Sequence, residues 1–377
     1  MGYPTTDSRG LAISQPVDAV ETPALLVDVD RMEKNIQRLV STHSASDVDI
    51  RSHTKSHKIP DLAHRQAGAT GSDKITCQTL GEAEVMALNG LHDIHLVRMV
   101  VRNEKLERLV WLADKVDNFV TNVDCRGNIV PLQDTAARRE VTVPVFLEID
   151  VGVNRTGVTP DDAPEIANLI EEQSNLRLAG IVGHDGFIKY NHDTESEFES
   201  AVSDIVADLE RTVDLLERES ISVPTVMTGS SATARYYEGQ PLVTEVNPGR
   251  YLFWDGLHVD AVPHVEAEHC AVTIATTVIS SPADNRVVVD GGSKVFSAYE
   301  GVNPQPKGRD DLSVRSLSSE HAVVDVSAAD PEPEVGDRIE FIVPSVHHAI
   351  NLAVTLIGVR DGRVSDIWDI QARGKSK

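Results

Sequence analysis

A short basic segment combines a lysine with two histidines at alternating positions. Residues 51–58 read Arg-Ser-His-Thr-Lys-Ser-His-Lys. In an extended chain, alternation places His53, Lys55 and His57 on one face. A lysine held among imidazoles and other cations has a lowered pKa, and the neutral amine is the form that makes an imine with a carbonyl group. The ordinary alternative is a solvated basic loop. The position at the end of a predicted strand, in an acidic protein, favours the reactive lysine.

Two later segments have the composition of an anion-binding site. Residues 228–233 read Thr-Gly-Ser-Ser-Ala-Thr, and residues 247–251 read Asn-Pro-Gly-Arg-Tyr. Backbone N–H groups and hydroxyls that lead into a helix bind phosphate, although the first segment also fits an ordinary helix N-cap. The residues predicted to form this cradle are Gly229, Ser230, Ser231, Gly249, Arg250 and Tyr251.

Two further polar residues follow predicted strands. Arg155 lies in the glycine-containing stretch 150–157, and Gln78 ends the second predicted barrel strand. A fixed guanidinium could balance a negative charge on a ligand, and an amide could hydrogen-bond one. The alternatives are a surface ion pair for Arg155 and a polar loop residue for Gln78.

The elements that must position these residues alternate between strand and helix. About eight strand–helix units over residues 30–260 predict an α/β fold, a parallel (β/α)8 TIM-type barrel, with a doubly wound sheet as the alternative. Residues 261–377 contain short strands separated by turn residues and predict a second, β-rich domain. The lead and strand at residues 1–29 are expected to join that β-rich domain.

Composition limits the classes of partner. The 377 residues carry 35 basic and 59 acidic side chains, a net charge of −24, which excludes a nucleic-acid partner that needs basic stripes. Only 11 of the basic residues are lysine, and this pattern predicts a surface adapted to concentrated salt. We expect no membrane span, no secretory signal and, from three widely spaced cysteines, a reducing cytoplasm.

Several motifs in one order resemble a known enzyme family. Residues 51–58 match Arg-Pro-His-x-Lys-x-His-Lys, with Ser52 in place of proline, and the stretches DKITCQTLGEAEVMALNG, EIDVGVNRTGV, VNPGRYLFWD and VGDRIEFIVPS also look familial. The chain resembles the fold-type III pyridoxal-phosphate (PLP) enzymes, the alanine racemase-like barrel superfamily. Within it, the similarity to the D-threonine aldolase and eukaryotic-type D-serine dehydratase family runs nearly end to end.

The resemblance implies roles for individual residues. Lys55 would hold PLP as a Schiff base, and Arg155 would approach the phenolate oxygen of the cofactor. Asn247 stands where decarboxylases of the wider superfamily carry a glutamate that faces the pyridine nitrogen, which would make PLP a weaker electron sink here. His184 stands where the closer family usually has tyrosine, so it would lie near the cofactor or pack as a core histidine.

The resemblance is incomplete at the divalent-metal site. Close relatives carry a His-x-Cys or His-x-Asp pair. Alignment on Asn351-Leu352 places Ser345 and His347 at these two positions, and alignment on His347 places Ala349 at the second, so either alignment leaves one ligand missing. Adjacent His347 and His348 point to opposite faces of the predicted strand, so both are not expected to bind one metal. His57 or His321 could complete a site. We expect His347 to act as a base, with metal ligation as the alternative.

The expected function is that of a PLP-dependent lyase acting on a small D-configured β-hydroxy amino acid. Retro-aldol cleavage would give glycine and an aldehyde, with His57 and His347 as candidate bases. The alternatives are D-serine or 3-hydroxyaspartate dehydration, amino-acid racemisation, and a non-catalytic PLP-binding protein. The resemblance also implies a homodimer.

Overall fold

The computed structural model describes residues 11–297 and 301–377. The first ten residues, on which the predictions of an N-terminal lead and of no secretory signal fall, lie outside the described residues. The described chain forms two compact units. One contains Ile36–Tyr251, Ala261–Pro263 and Gly374–Lys377, and we call it the barrel unit. The other contains the described residues up to Asn35, Leu252–Asp260 and His264–Arg373, and we call it the β-rich unit.

The strands of the described chain are numbered in chain order. They are β1 (Ala24–Asp28), β2 (Asp49–Ile50), β3 (Ser52–His53), β4 (Lys74–Cys77), β5 (Asp93–Leu96), β6 (Asn118–Val123), β7 (Val143–Ile149), β8 (Leu176–Gly183), β9 (Val226–Thr228), β10 (Glu245–Val246), β11 (Val272–Ala283), β12 (Arg286–Val289), β13 (Gln305–Pro306), β14 (Ser313–Leu317), β15 (Ala322–Asp325), β16 (Arg338–Ile342), β17 (Thr355–Arg360) and β18 (Arg363–Asp369).

The α-helices are numbered in the same way. They are α1 (Val29–His43), α2 (Pro60–Thr70), α3 (Leu80–Leu88), α4 (Asn103–Lys115), α5 (Arg126–Arg139), α6 (Ala163–Glu171), α7 (Glu195–Arg218), α8 (Gly256–Ala261), α9 (Ser293–Phe296) and α10 (Val346–Leu352). No helix among the described residues combines the length and the apolar composition that crossing a bilayer requires.

Parallel strands close the barrel unit into a ring. The order is β2-β10-β9-β8-β7-β6-β5-β4-β3, and every neighbouring pair is parallel. Arg51 alone separates β2 from β3, so these two pieces together act as the first of eight strands. Val120, Phe146, Val182 and Met227, from four consecutive strands, form one buried apolar cluster. This layer is what a filled barrel requires.

Local signals set the ends of the barrel helices. Pro60 occupies the first turn of α2, where its missing N–H costs nothing. The Thr79 hydroxyl accepts the Glu82 N–H at the start of α3, and Thr194 with Glu197 forms a capping box at the start of α7. Because α3 begins directly after β4, the cap fixes the turn that contains Gln78.

The β-rich unit is built on one mixed sheet. Its main order is β14-β15-β12-β11-β1-β17-β18, with β16 pairing β11 and β13. The N-terminal strand β1 pairs antiparallel with β11 and parallel with β17. The predicted fold class, a (β/α)8 barrel with a β-rich second domain, is therefore confirmed, and the doubly wound sheet is wrong.

Three predicted local structures are corrected. Residues 346–352, read as part of a strand, form helix α10. Residues 54–56 form a 3-10 turn rather than extended chain. The residues after Thr233 form a short 3-10 turn, Ala234–Tyr237, in place of the expected helix. Side-chain bonds to backbone groups accompany each change: Asp255 accepts the Val346 N–H, the Thr54 hydroxyl donates to the Thr76 carbonyl, and the Ser230 N–H donates to the Thr233 hydroxyl.

Candidate active site

Lys55 lies on the 3-10 turn that follows the first barrel strand. The turn is anchored because the Thr54 hydroxyl donates to the Thr76 carbonyl at 3.0 Å on the neighbouring strand β4. The Lys55 N–H faces His53 Nδ1 at 3.4 Å. Lys55 is half-buried, whereas His53 and His57 are buried. The strand alternation that predicted a shared face for these three residues does not apply, because the turn rotates them differently.

The Lys55 amine is electrostatically prepared to be neutral. Burial, followed by the charges of the neighbouring cations Arg250, Lys189 and Arg155, lowers its pKa from 10.5 to about 7. Removing the proton relieves both the desolvation and the repulsion. A substantial fraction of the amine is therefore nucleophilic near neutral pH, which is the property that imine chemistry requires.

His57 is committed to the protein interior. Its Nδ1 accepts the Ile59 N–H at 3.0 Å, so the ring proton lies on Nε2, which contacts Gln66 Oε1 at 3.0 Å. Gln66 Nε2 donates in turn to the Tyr251 hydroxyl at 2.8 Å. Burial lowers the His57 pKa to about 4. Protein groups therefore contact both ring nitrogens of His57, the predicted base.

Gln78 is fixed beside His53. The Gln78 side chain hydrogen-bonds the His53 ring, whose pKa is held well below its usual value, first by burial and then by the charge of Lys55. The Gln78 N–H donates to Glu82 Oε2 at 3.1 Å, and Glu82 Oε1 pairs with Lys58 Nζ at 3.1 Å. Lys58 thus serves an ion pair and not the reactive position.

His184 and Arg155 lie in the electrostatic environment of Lys55. Burial, followed by the charges of Lys55, Arg155 and Lys189, lowers the His184 pKa to about 3. His184 is therefore a neutral imidazole at working pH. Lys189, which the sequence reading missed, donates to the Gly186 carbonyl at 2.9 Å. Its only sequence signal was its position three residues after that glycine.

The loop that carries Arg155 is shaped by glycine and by a buried carboxylate. Gly157 has φ +97°, and a Cβ there would lie 2.7 Å from the Asp150 nitrogen, so only glycine fits. The Thr156 hydroxyl donates to Glu148 Oε1 at 2.5 Å. Arg155 itself is exposed. The backbone of the loop is therefore constrained next to Arg155, whose side chain is accessible.

Three consecutive backbone N–H groups converge on one point of the barrel unit. The Ser231 hydroxyl oxygen accepts from the N–H groups of Gly249, Arg250 and Tyr251 at 2.9, 2.6 and 3.1 Å. Successive N–H groups that point at one oxygen form an anion-binding nest. The donors thus come from the loop after β10, and together with the Ser231 hydroxyl they form a candidate phosphate site.

The neighbouring groups suit the same ligand. A Cβ on Gly249 would lie 3.0 Å from His53 Cβ, so the nest packs tightly against the turn that carries Lys55. Asn247 Oδ1 is buried and has no hydrogen-bond partner among the described residues. A reactive amine and a phosphate nest in one barrel unit fit PLP, which carries an aldehyde and a phosphate.

His347 lies in the β-rich unit, half-buried near the start of α10. Asp255 Oδ2 accepts the Val346 N–H at 2.9 Å, and His258 Nδ1 contacts Asp255 Oδ1 at 2.7 Å, so this pair fixes the start of the helix. His348 is exposed. The prediction that the two histidines occupy opposite faces of a strand is wrong, because they are consecutive residues of a helix.

The donor set at His347 does not fit a divalent metal. The described ranges contain no group of three or more His, Cys, Asp or Glu side chains that could hold a metal ion. Ala349 provides no donor atom, and His321 is exposed on the surface. Since protein metal sites normally supply about three ligands, no step of the chemistry below is assigned to a metal.

The fold and this site define a PLP-binding barrel enzyme of the alanine racemase-like type. Residues 27–256 match the family described as alanine racemase, N-terminal domain, and residues 271–356 match the putative serine dehydratase domain. The chain is 31% identical to D-threonine aldolase of an Arthrobacter species and 31% identical to 3-hydroxy-D-aspartate aldolase of Paracoccus denitrificans, covering 98% of each chain in both cases.

Solved structures agree with these matches. D-threonine aldolase from Filomicrobium marinum superposes with a TM-score of 0.90 at 29% identity and covers 97% of this chain and 99% of that one. D-threo-3-hydroxyaspartate dehydratase from Delftia superposes with a TM-score of 0.85 at 25% identity and covers 94% and 98%. The chain belongs to the family of PLP-dependent aldolases and dehydratases to which these proteins belong, and it is a lyase.

Proposed function

We propose that this lyase cleaves a D-configured β-hydroxy amino acid by a retro-aldol reaction that yields glycine and an aldehyde. The observation that carries the proposal is a lysine with a pKa of about 7 in the same barrel unit as a nest of three N–H groups. The aldolases of Arthrobacter and Paracoccus support the reaction and the D-configuration. Dehydration is the second candidate, favoured by the similarity to the Delftia dehydratase.

The chain's own residues supply binding and protonation states. The N–H groups of residues 249–251 would hold the cofactor phosphate. The neutral Lys55 amine would attach the cofactor covalently, and the substrate amine would then displace Lys55 from it. Bound PLP would accept the electron pair released when the Cα–Cβ bond breaks. Arg155 would face the phenolate oxygen, and Asn247 Oδ1 would accept a hydrogen bond from the ligand. His184, being neutral, would add no charge.

Proton transfer from the substrate hydroxyl requires a base with an available nitrogen. His57 has none, because Ile59 and Gln66 occupy both of its ring atoms. We therefore propose a positioning role for His57 and keep His347, which the family resemblance suggests, as the proposed base. His347 would take the β-hydroxyl proton as Cα–Cβ breaks.

The test is product analysis with D-threonine, D-serine and the isomers of 3-hydroxyaspartate. We expect glycine in equal amounts with acetaldehyde or glyoxylate, from D-configured substrates only. Ammonia and a keto acid would establish dehydration instead, and the opposite enantiomer would establish racemisation. Stoichiometric PLP with no product from any substrate would identify a PLP-binding protein.

Metal removal should leave the activity in place. We expect turnover after EDTA treatment to stay within about twofold of the untreated enzyme, since the described residues contain no group of three His, Cys, Asp or Glu side chains that could hold a metal ion and one imidazole holds an ion only loosely. His347→Ala should lower kcat by about 10²- to 10⁴-fold as for loss of a general base, whereas His348→Ala, at an exposed neighbour, is the matched control. Loss of activity with EDTA and rescue by a divalent ion would overturn this expectation.

We propose that the acidic surface is an adaptation to concentrated salt. At a net charge of −24 the folded chain repels itself, and about 1 M salt shortens the Debye length to about 3 Å. The melting temperature should therefore rise by several degrees as KCl increases from low concentration to about 1 M. Sodium sulfate and KCl at equal ionic strength separate screening from salting-out. A melting temperature that does not change with KCl contradicts the proposal.

We further propose a cytoplasmic homodimer. The three cysteines, Cys77, Cys125 and Cys270, are free thiols in the structure, which fits a reducing compartment. Sedimentation equilibrium tests the dimer directly. A single species of 41.0 kDa would contradict it.

A further inference from the structure

A buried carboxylate lies behind the turn that begins the phosphate nest. Asp185 follows His184 after β8 and is 0% exposed. Its Oδ2 accepts hydrogen bonds from the Thr233 hydroxyl and, at 3.0 Å, from the Tyr237 hydroxyl. A buried carboxylate is costly without such donors. Burial raises the Asp185 pKa, and its hydroxyl donors act in the opposite direction.

The bond to Asp185 dictates how Thr233 faces the rest of the turn. The Thr233 hydroxyl has one proton, which it gives to Asp185, so its lone pairs are left for Ser230. The Ser230 N–H donates to Thr233 Oγ1 at 2.9 Å, and Ser230 Oγ lies 3.0 Å from the same atom. The turn 230–233 is thereby locked, and it sets Ser231, on which the three N–H groups converge.

The same carboxylate also constrains His184. Asp185 is the next residue along the chain, and it is held by two hydroxyls of the barrel interior. A Cβ on Gly186 would lie 2.7 Å from His184 Nε2, so the imidazole folds back against the backbone of residue 186. Asp185, whose carboxylate is anchored, is the residue between His184 and Gly186. A shift of this carboxylate would therefore move the His184 imidazole.

We propose that Asp185 is a positioning residue that couples the grip on the cofactor phosphate to the placement of His184. This inference rests on the proposed PLP site. Asp185 does not contact the ligand but acts through Thr233 and Ser230 on one side and through the chain on the other. Tyr237, which is fully buried, holds the carboxylate from behind.

The test compares the affinities of the apoenzyme for PLP and for pyridoxal, which lacks the phosphate. Tyr237→Phe removes one donor and keeps the packed ring, and Asp185→Asn keeps the shape and removes the negative charge to which the two hydroxyls donate. We expect the Kd for PLP to rise by about tenfold in each variant. The Kd for pyridoxal should rise by no more than about threefold, since it does not use the nest.

Tyr236→Phe is the matched control. It removes a hydroxyl from the adjacent residue of the same 3-10 turn, where the partner is Glu195 on the surface. Its PLP affinity should equal that of the wild type. A second readout is the circular dichroism band of bound PLP. Asp185→Asn should change its intensity through the altered His184 ring, and a purely structural role would leave it unchanged.

Each outcome of these measurements supports or overturns the proposed role of Asp185. A rise confined to PLP, with an altered dichroism band, supports the proposal, and Tyr237→Phe preserves the test if Asp185→Asn does not fold. Equal weakening of PLP and pyridoxal, or wild-type affinity in both variants, overturns it while the proposed function stands. A wild-type protein that binds neither compound overturns the proposed function and this inference together.

Discussion

We expect Lys55→Ala to abolish covalent attachment of PLP and to lower turnover by at least about a thousandfold. The reason is specific to the amine, which burial and three neighbouring cations bring to a pKa of about 7. Lys55→Arg should fail equally, because a guanidinium keeps the charge but does not form an imine. Equal loss of activity in both variants would show that turnover needs imine formation by the Lys55 amine and not the positive charge at this position.

Borohydride reduction followed by peptide mapping is the direct measurement. The wild type should carry one pyridoxyl group, on Lys55. A label on Lys58 would overturn the assignment, although its ion pair with Glu82 at 3.1 Å makes it the poorer nucleophile. A label on Lys294, in the β-rich unit, would also overturn the assignment to Lys55, although the protein would still be PLP-dependent.

The pH dependence of PLP attachment follows from the same pKa. The Lys55 amine is neutral above about pH 7 and protonated below it, so the rate of attachment to the apoenzyme should fall as the pH drops below about 7. An unperturbed lysine would lose its reactivity already below about pH 10. Stopped-flow absorbance between pH 5 and 9 distinguishes the two.

Residue types and spacing predicted the barrel, because alternating strands and helices are a long-range, repeated signal, and they marked Lys55 as the candidate amine. They did not identify the local turns. Residues 54–56 leave the strand because the Thr54 hydroxyl binds the carbonyl of Thr76, a contact between residues far apart in sequence. Gln66, which contacts His57 Nε2, likewise lies outside the segment 51–58. No pattern within 51–58 contains that partner.

Some structural features that were not predicted do have a signal in the sequence. Helix α10 has buried Val346, Ala349 and Ile350. Their i, i+3, i+4 spacing is typical of a helix, although the adjacent histidines were predicted to lie on a strand. The nest formed by residues 249–251 could not be read from the chain alone, since its focus is Ser231 on another strand loop. Contacts between loops are set by barrel closure, and sequence spacing does not encode them.

Arg51 supports the same barrel closure through a buried ion-pair network. Its Nε and Nη2 contact Glu245 at 2.7 and 3.3 Å, and its Nη1 contacts Asp93 at 2.6 Å. Lys74 Nζ reaches Glu245 at 2.6 Å and Asp49 at 2.5 Å. These residues join β2, β4, β5 and β10 across the seam where the first and last strands meet.

Breaking this network should be the most destabilising single change in the barrel outside its apolar core. Glu245→Gln keeps the shape and removes the charge that compensates Arg51 and Lys74. Loss of one partner of a buried pair costs about 3–5 kcal/mol. Arg211→Ala is the matched control, because its ion pair with Asp161 is 57% and 66% exposed and such pairs are worth about 0–1 kcal/mol. Urea unfolding followed by far-UV circular dichroism measures both.

The acid dependence of stability provides the sharper test. Arg51 and Lys74 lower the Glu245 pKa from 4.5 to about 2 against the opposing effect of burial. A depressed carboxylate pKa gives stability that is complete above about pH 4.5 and is lost as the pH falls towards 2. Because Glu245→Gln has no such carboxylate, its stability should fall less steeply than that of the wild type between pH 4.5 and 2. The difference in unfolding free energy between the two proteins should therefore shrink by about 3 kcal/mol over that interval. Parallel curves would mean that the charge on Glu245 does not hold the seam.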